Sequence, residues 1–157
     1  MVAAEHLHAR LRERALTLAT AESCTGGLLG HVLTEVPGAS DTYVGGVVSY
    51  SDAVKREQLG VPAATLEKHG AVSAQTSVAM AEGARRAYGA SLAVAVTGIA
   101  GPGGGTASKP VGLTYVAVAD QTGHDVRRFV WQGDRGANKR DSVAAALDFV
   151  LERLAET

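Results

Sequence analysis

The six residues Leu92–Thr97, LAVAVT, are the most strand-like run in the sequence. Apolar side chains occupy every position before the final threonine, and a glycine-rich loop, residues 98–110, follows at once. A short apolar run bounded by glycine is typical of a buried strand. We therefore predict such a strand here, ending in a loop at one edge of a sheet.

Outward from this strand, strand-like and helix-like segments alternate until a late pair of strands. The predicted strands are residues 16–21, 44–50, 92–97, 111–120 and 125–130, and the predicted helices are residues 3–14, 25–34, 53–59, 62–69, 73–88 and 141–154. The last two strands flank a turn at residues 121–123. This order predicts an α/β fold: a three-layer αβα sandwich with a mixed, mostly parallel sheet of about five strands and an antiparallel edge hairpin.

Size and composition narrow the classes of function. A chain of 157 residues suits one domain, which we predict over residues 1–157. The net charge of −1 gives no basic field for nucleic acid, and no apolar run approaches the ~20 residues that span a bilayer. One cysteine excludes a disulfide framework, and no metal-ligand spacing is present. We expect a cytoplasmic protein without a metal, membrane or nucleic-acid partner.

The stretch TAESCTGG, residues 20–27, places two candidate nucleophiles where a predicted strand runs into a helix. Free N–H groups and the dipole at such a helix N-terminus can stabilise an oxyanion. Ser23 is the candidate nucleophile, although a helix cap at Ser23 or Thr25 explains the same residues. Cys24 is chemically the better nucleophile. However, its side chain should point away from that of its neighbour, and a lone cysteine is more often buried.

A serine nucleophile needs a base, and none of the five histidines falls at a strand end. Lys55 follows the strand end Ser49-Tyr50-Ser51 and falls in the first turn of a predicted helix. There the helix dipole opposes a positive charge, and burial in a cleft would also lower the lysine pKa. Tyr50 could relay a proton or bind the substrate. The alternative is an exposed lysine and a tyrosine that merely closes the strand.

The loop GIAGPGGGT, residues 98–106, is the third feature at a strand end. Glycines let the backbone approach a ligand and direct N–H groups at a phosphate, but neither the Walker nor the dinucleotide glycine pattern is present. A flexible connector is the alternative. The substrate-binding candidates in and beside this loop are Thr97, Gly98, Gly101, Gly103, Gly104, Thr106 and Lys109.

The segment GDRGANKR, residues 133–140, leads into the last predicted helix. Arg135 and Arg140 are unfavourable at a helix N-terminus unless an anion lies there. A substrate phosphate would supply that anion, and so would Asp134 or Asp141.

Several segments together resemble the C-terminal domain of the competence/damage-inducible protein CinA. They are TAESCTGG, VVSYSDAVKREQLGV, HGAVS, TGIAGPGGG, KPVG and GDR, in this order, and the resemblance runs from about Leu7 to Leu151. Stand-alone members of that family are nicotinamide-nucleotide amidases. Full-length CinA also has a preceding nucleotide-pyrophosphatase-like domain, so only the amidase half is expected here.

The resemblance implies hydrolysis of the carboxamide of nicotinamide mononucleotide (NMN) to nicotinic acid mononucleotide and ammonia, without a metal or other cofactor. It implies Ser23 as nucleophile, assisted by Tyr50 and Lys55, an arginine that is either Arg135 or Arg140, and a homodimer. We add the expectation that backbone amides around Thr25 and Gly26 bind the oxyanion, that Gly27 also belongs to the substrate-binding residues, and that the glycine loop holds ribose and phosphate. Two rivals are a Ser/Lys amidase for another small amide and a nucleotide-binding regulatory domain without turnover.

Overall fold

The computed structural model describes residues 2–156, which form six α-helices, one 3₁₀ turn and five strands. The helices are α1 (Val2–Glu13), α2 (Leu28–Thr34), α3 (Asp52–Leu59), α4 (Ala63–His69), α5 (Ala74–Tyr88) and α6 (Arg135–Ala155). The strands are β1 (Leu18–Glu22), β2 (Tyr43–Val48), β3 (Leu92–Gly98), β4 (Leu113–Asp120) and β5 (Gly123–Val130), and the 3₁₀ turn is Ala39–Asp41. Within these residues, no helix combines the length and the apolar character needed to cross a membrane.

The five strands form one sheet in the order β2-β1-β3-β4-β5. Strand β1 runs parallel to β2 and β3, whereas β3–β4 and β4–β5 are antiparallel. The predicted fold class is therefore confirmed, with equal numbers of parallel and antiparallel pairs. Glu22 pairs with Val48 on one side and with Val96 on the other. Because these three strands are parallel, their carboxyl ends open onto the same edge of the sheet.

The two faces of the sheet differ in side-chain size. Val94 and Val96 of β3 join the larger core, which includes leucines and valines of α1, α2 and α6. Ala93 and Ala95 face the other way, into a core formed with Met80 and alanines of α5. Small side chains on that face let α5 lie close to the sheet, which completes the predicted three-layer arrangement.

Side-chain caps fix where α3 and α6 begin, and one of the two caps was predicted from the sequence. The Ser51 side chain accepts a hydrogen bond from the Val54 N–H, so α3 begins at Asp52, one residue before the predicted start, and carries Lys55 in its first turn. The predicted start of the last helix at residue 141 is wrong. Asp134 caps α6 by accepting from the Ala137 N–H, so the helix begins at Arg135 and includes most of the GDRGANKR segment.

The second helix also begins later than predicted, at Leu28 instead of residue 25. Gly26 and Gly27 have φ angles of 60° and 102°, which lie in the left-handed region and cannot continue into an α-helix. The two glycines therefore make a turn between Ser23 and α2.

Candidate active site

The carboxyl ends of β1, β2 and β3 surround a cleft of about 260 Å³. Ser23 follows β1, Tyr50 follows β2, and the glycine-rich loop follows β3. The lining residues are Ser23, Cys24, Tyr50, Lys55, Ala71, Val72, Thr97, Gly98, Ile99, Ala100, Gly101, Gly103, Gly104 and Arg135. The three strand-end features singled out in the sequence thus contribute to one cavity.

Lys55 and Ser23 are in direct contact at the base of this cleft. The Lys55 Nζ lies 3.1 Å from the Ser23 Oγ, and it also donates to the carbonyls of Ser49 at 2.8 Å and Tyr50 at 3.2 Å. An ammonium has three protons, so these three contacts satisfy it. A neutral amine keeps two protons for the two carbonyls, which leaves its lone pair for the Ser23 hydroxyl.

Burial favours that neutral amine. The Lys55 side chain is fully buried, and burial lowers its pKa, with Asp52 acting in the opposite direction. Within residues 2–156, no carboxylate lies within salt-bridge distance of the Lys55 amine. The site therefore contains the two components of a Ser/Lys pair: a hydroxyl and a lysine with a depressed pKa.

Cys24 lines the same cleft, but its pKa is raised, whereas that of Lys55 is lowered. Burial, with a smaller contribution from Glu22, raises the pKa of the Cys24 thiol to about 12. The thiolate is the reactive form of cysteine, so this residue is poorly suited to act as a nucleophile at neutral pH.

Tyr50 contacts Lys55 through its backbone rather than its side chain. The residue is 62% exposed, and its phenol accepts a hydrogen bond from Arg135 Nη2 at 3.3 Å. No hydrogen bond joins the phenol to Ser23 or Lys55 in the part of the chain that the structure describes. The geometry therefore places the Tyr50 side chain with Arg135, at the mouth of the cleft, and gives no direct path for the expected proton relay.

Some backbone N–H groups of the turn after Ser23 are hydrogen-bonded within the turn, and others are not. The Gly26 N–H donates to the Ser23 carbonyl at 3.1 Å, and the Gly27 N–H donates to the Glu22 carboxylate. Neither is free for a ligand, which corrects the expectation that these glycine amides bind the oxyanion. Within residues 2–156, the N–H groups of Cys24 and Thr25 have no acceptor in another residue, and the Cys24 N–H contacts only its own thiol. The Thr25 hydroxyl is buried and donates to Glu22.

The glycine-rich loop divides into residues that line the cleft and residues that close the loop. Gly98, Gly101, Gly103 and Gly104 line it. Thr97 also lines it and donates to the Ala71 carbonyl, which attaches the end of β3 to the segment before α5.

Two of the loop candidates are not brought to the cleft. The Thr106 N–H donates to the Lys109 carbonyl, and the Lys109 N–H donates to the Thr106 hydroxyl. The Lys109 amine donates to the His69 carbonyl. These bonds hold the base of the loop, so a structural role replaces the expected substrate contact.

The two candidate arginines lie in different places. Arg135 lines the cleft and donates to the Gly101 carbonyl at 2.7 Å, in addition to the Tyr50 phenol. Arg140 does not line this cleft; it borders an adjacent cavity that shares Ala100 and Arg135 with it. The geometry therefore favours Arg135 over Arg140 as the arginine that faces a ligand.

Some residues of the site have no distinctive sequence signal. Ala71 and Val72 line the cleft because the chain passes there before α5. Asn138 donates to the Ala100 carbonyl and so attaches α6 to the glycine-rich loop. Glu22 lies in the TAESCTGG stretch, but nothing in the sequence shows that its carboxylate bonds to the turn that follows.

Among residues 2–156, no group of three or more His, Cys, Asp or Glu side chains is placed to hold a metal ion. None of the five histidines is among the residues that line the cleft. His8, for example, is buried and bonded to the Thr42 hydroxyl and the Leu33 carbonyl.

Comparison with known proteins agrees with the resemblance seen in the motifs. The family model of the CinA C-terminal domain matches residues 2–154. The chain belongs to this family. A CinA-like protein of Parasynechococcus marenigrum is 51% identical over 148 residues, which cover 93% of this chain. A putative competence-damage inducible protein of Acetivibrio thermocellus is 52% identical over 135 residues, or 86% of the chain.

The CinA-family chain spans about a third of the length of those relatives, 35% and 33% respectively. Solved structures match over nearly all of it. A competence/damage inducible protein from Agrobacterium tumefaciens superposes with a TM-score of 0.91 at 41% identity, covering 96% of this chain and 93% of the other. A CinA superfamily protein from Klebsiella pneumoniae gives 0.96 at 35% identity, covering 99% and 98%. The fold of the CinA C-terminal domain is therefore shared across the chain.

Proposed function

We propose that this protein is an amidohydrolase that converts NMN to nicotinic acid mononucleotide and ammonia through a Ser/Lys mechanism. The observation that carries the proposal is the 3.1 Å contact between Ser23 Oγ and the fully buried Lys55 amine at the base of an open cleft. A buried lysine without a carboxylate partner is costly for stability, and such groups concentrate at functional sites. The substrate is inferred from the CinA-family resemblance.

In the first half of the reaction, neutral Lys55 takes the proton of the Ser23 hydroxyl as the oxygen attacks the carboxamide carbon. The Ser23 Oγ–C bond forms, and the negative charge on the former carbonyl oxygen is stabilised by the N–H groups of Cys24 and Thr25. Collapse of this intermediate breaks the C–N bond. The Lys55 ammonium returns its proton to the departing nitrogen, so ammonia leaves and a Ser23 ester remains.

In the second half, neutral Lys55 takes a proton from a water molecule that attacks the ester carbon. The C–O bond to Ser23 breaks, the Ser23 oxygen regains a proton from Lys55, and the product leaves as a carboxylic acid that ionises in water. The same residue thus acts as base and then acid in each half. Neither step requires a metal or an organic cofactor.

The anionic part of the substrate fits the mouth of the cleft. Arg135 uses two of its five N–H donors on Gly101 and Tyr50, which leaves donors for a phosphate. Glycines of the adjoining loop allow the backbone to approach the ribose and phosphate closely. We therefore assign phosphate binding to Arg135 and the loop, and the carboxamide to the Ser23 end.

The experiment incubates purified protein with NMN in the presence of a chelator and measures ammonia and nicotinic acid mononucleotide. Nicotinamide riboside, which lacks the phosphate, is the comparison substrate. We expect turnover of NMN and a much lower kcat/KM for the riboside. Equal kcat/KM values would remove the proposed role of Arg135. No turnover of either, with NMN still bound, would favour a regulatory nucleotide-binding domain.

The homodimer expected from the resemblance is also a proposal. Light scattering coupled to size-exclusion chromatography measures it directly: a particle of twice the 16.1 kDa chain mass is expected, and a particle of single-chain mass would contradict it.

A further inference from the structure

Glu22 is a buried acid directly before the nucleophile, and the proposed reaction does not use it. It is the last residue of β1 and is only 3% exposed. Acidic side chains are rarely this buried unless they are held by several donors. The hydrogen-bond donors around the carboxylate therefore indicate the role of Glu22.

Four donors converge on the Glu22 carboxylate. Oε1 accepts from the Thr25 hydroxyl at 2.6 Å, the Gly27 N–H at 3.2 Å and the Leu29 N–H at 2.9 Å. Oε2 accepts from the Gly30 N–H at 3.1 Å. Both oxygens are therefore acceptors only, and the carboxylate binds the turn and the first residues of α2 to the end of β1.

These bonds determine which amides of the turn remain free. The carboxylate takes the N–H groups of Gly27, Leu29 and Gly30, and the Ser23 carbonyl takes that of Gly26. In the described chain, the amides of Cys24 and Thr25 are the ones in this turn left without an acceptor in another residue. They follow Ser23 directly in the chain, and Cys24 lines the cleft with it.

A second set of bonds runs from Glu22 to the base. The Glu22 carbonyl accepts from both the N–H and the hydroxyl of Ser49, at 2.7 Å and 3.2 Å. The Ser49 carbonyl in turn accepts from the Lys55 amine at 2.8 Å. Glu22 is thus linked to both sides of the Ser/Lys pair: its carboxylate holds the turn that follows Ser23, and its backbone carbonyl is linked through Ser49 to the Lys55 amine.

We propose that Glu22 is a positioning residue for the amidase reaction, which sets the shape of the Ser23 turn and leaves the Cys24 and Thr25 amides free for the oxyanion. This inference rests on the proposed function. Glu22 does not touch the substrate, so its loss should slow chemistry more than binding. A glutamine cannot reproduce the site, because its NH₂ group would face donors where the carboxylate presents an acceptor.

The test uses Glu22→Gln and Thr25→Val, with Thr25→Ser as the conservative variant and Glu35→Gln as the matched control. Thr25→Val removes only the hydroxyl that donates to Glu22 and nearly keeps its volume. Glu35 is exposed and paired with His31 at the far end of α2. Each variant is measured for kcat and KM with NMN, for its thermal midpoint, and for the rate at which a fluorophosphonate probe labels Ser23.

We expect Glu22→Gln to lower kcat by about 10- to 100-fold with KM changed less than about threefold, because small displacements of reacting groups cost rates of this order. Thr25→Val should also lower kcat. Thr25→Ser, which keeps the hydroxyl, should have a kcat close to that of the wild type. Glu35→Gln should behave as wild type. Probe labelling of Ser23 should fall in parallel with kcat, at temperatures where every variant is folded.

Two outcomes would overturn the role of Glu22: a folded Glu22→Gln or Thr25→Val with wild-type kcat and labelling rate, or equal losses in Thr25→Val and Thr25→Ser that follow the thermal midpoint. The labelling rate separates this inference from the substrate assignment. If wild type labels at Ser23 but does not hydrolyse NMN, the proposed function fails while the comparison of labelling rates still decides the role of Glu22.

Discussion

At the scale of single residues, the site depends on a lysine amine placed where water does not solvate it. Lys55 is fully buried and bonded to Ser23 and two carbonyls, and burial lowers its pKa from the ordinary value of 10.5. The same burial that costs stability provides a base for the adjacent hydroxyl. Cys24, one residue from Ser23, is made unreactive by burial because its charged form is an anion.

The pH dependence of turnover follows from the direction of the lysine shift. Because only neutral Lys55 can accept the Ser23 proton, kcat/KM should rise with pH to a plateau, with a midpoint below 10.5. Lys55→Arg should lose about 100-fold or more in kcat/KM, since a guanidinium stays protonated. Lys68→Arg, on the exposed surface of α4, is the control. A pH-independent kcat/KM, or an active Lys55→Arg, would exclude Lys55 as the base.

The free energy of unfolding should also depend on the protonation of Lys55. The folded-state pKa of Lys55 is below that of the unfolded chain, so the unfolded chain binds more protons between the two values. The contribution of Lys55 to the free energy of unfolding should therefore increase as the pH rises through this window. Lys55→Met lacks the titrating group, so denaturant titrations at several pH values isolate the contribution by difference.

At the scale of elements, the position of Lys55 depends on how α3 packs against α5. A Cβ at Gly83 of α5 would lie 1.9 Å from the Leu59 carbonyl oxygen at the end of α3. The absence of a side chain at Gly83 therefore lets the two helices touch, and α3 carries Lys55 at its other end.

We expect Gly83→Ala to lower the free energy of unfolding by about 2 kcal/mol or more, because the clash is with backbone and forces the helices apart. Activity should fall as well, since α3 would move relative to Ser23. Denaturant titration and NMN turnover measure the two effects. Gly103→Ala is the stability control, because nothing lies within 4 Å of its added Cβ. A fully stable Gly83→Ala would show that α3 and α5 can separate at no cost.

Local signals explain how far the sequence predicts these elements. Ser51 and Ser73 cap α3 and α5 as serines before a helical pattern usually do, and alternating strands and helices sufficed for the αβα layers. The start of α6 was missed because the cap, Asp134, lies in a glycine-containing segment that resembles a loop. The Glu22 carboxylate network and the loop closure by Lys109 depend on three-dimensional contacts, which no local pattern reveals.

At the scale of the whole molecule, the candidate site and a mostly buried ion pair occupy opposite ends of the sheet. Asp120 ends β4 at the edge remote from the cleft, since β4 is antiparallel to β3. Its carboxylate accepts two hydrogen bonds from Arg153 of α6, at 2.7 Å and 3.1 Å, and both side chains are mostly buried. This pair attaches the end of the longest helix to the edge hairpin.

Asp120→Asn should therefore lower stability without disabling the site. Leaving the partly buried Arg153 without its anion costs about 2–3 kcal/mol, whereas kcat/KM at 25 °C should stay near wild type. The Arg153 hydrogen bonds hold the pKa of Asp120 well below its usual 3.8. The contribution of the pair is thus complete above that value and is lost as the pH falls below it. Thermal unfolding from pH 3 to 7 measures the stability loss and its pH dependence, with the exposed Asp148→Asn as control. A large loss of kcat/KM in folded Asp120→Asn would show that the pair also supports the candidate site.

The most direct measurement is the rate of ammonia release from NMN by Ser23→Ala and Cys24→Ala beside the wild-type protein. The two variants remove adjacent side chains of similar size from the same cleft, so they separate the two candidate nucleophiles. We predict turnover by wild type, none detectable by Ser23→Ala, and retention of most of the activity by Cys24→Ala. Continued ammonia release by Ser23→Ala, or an inactive but folded Cys24→Ala, would contradict Ser23 as the nucleophile.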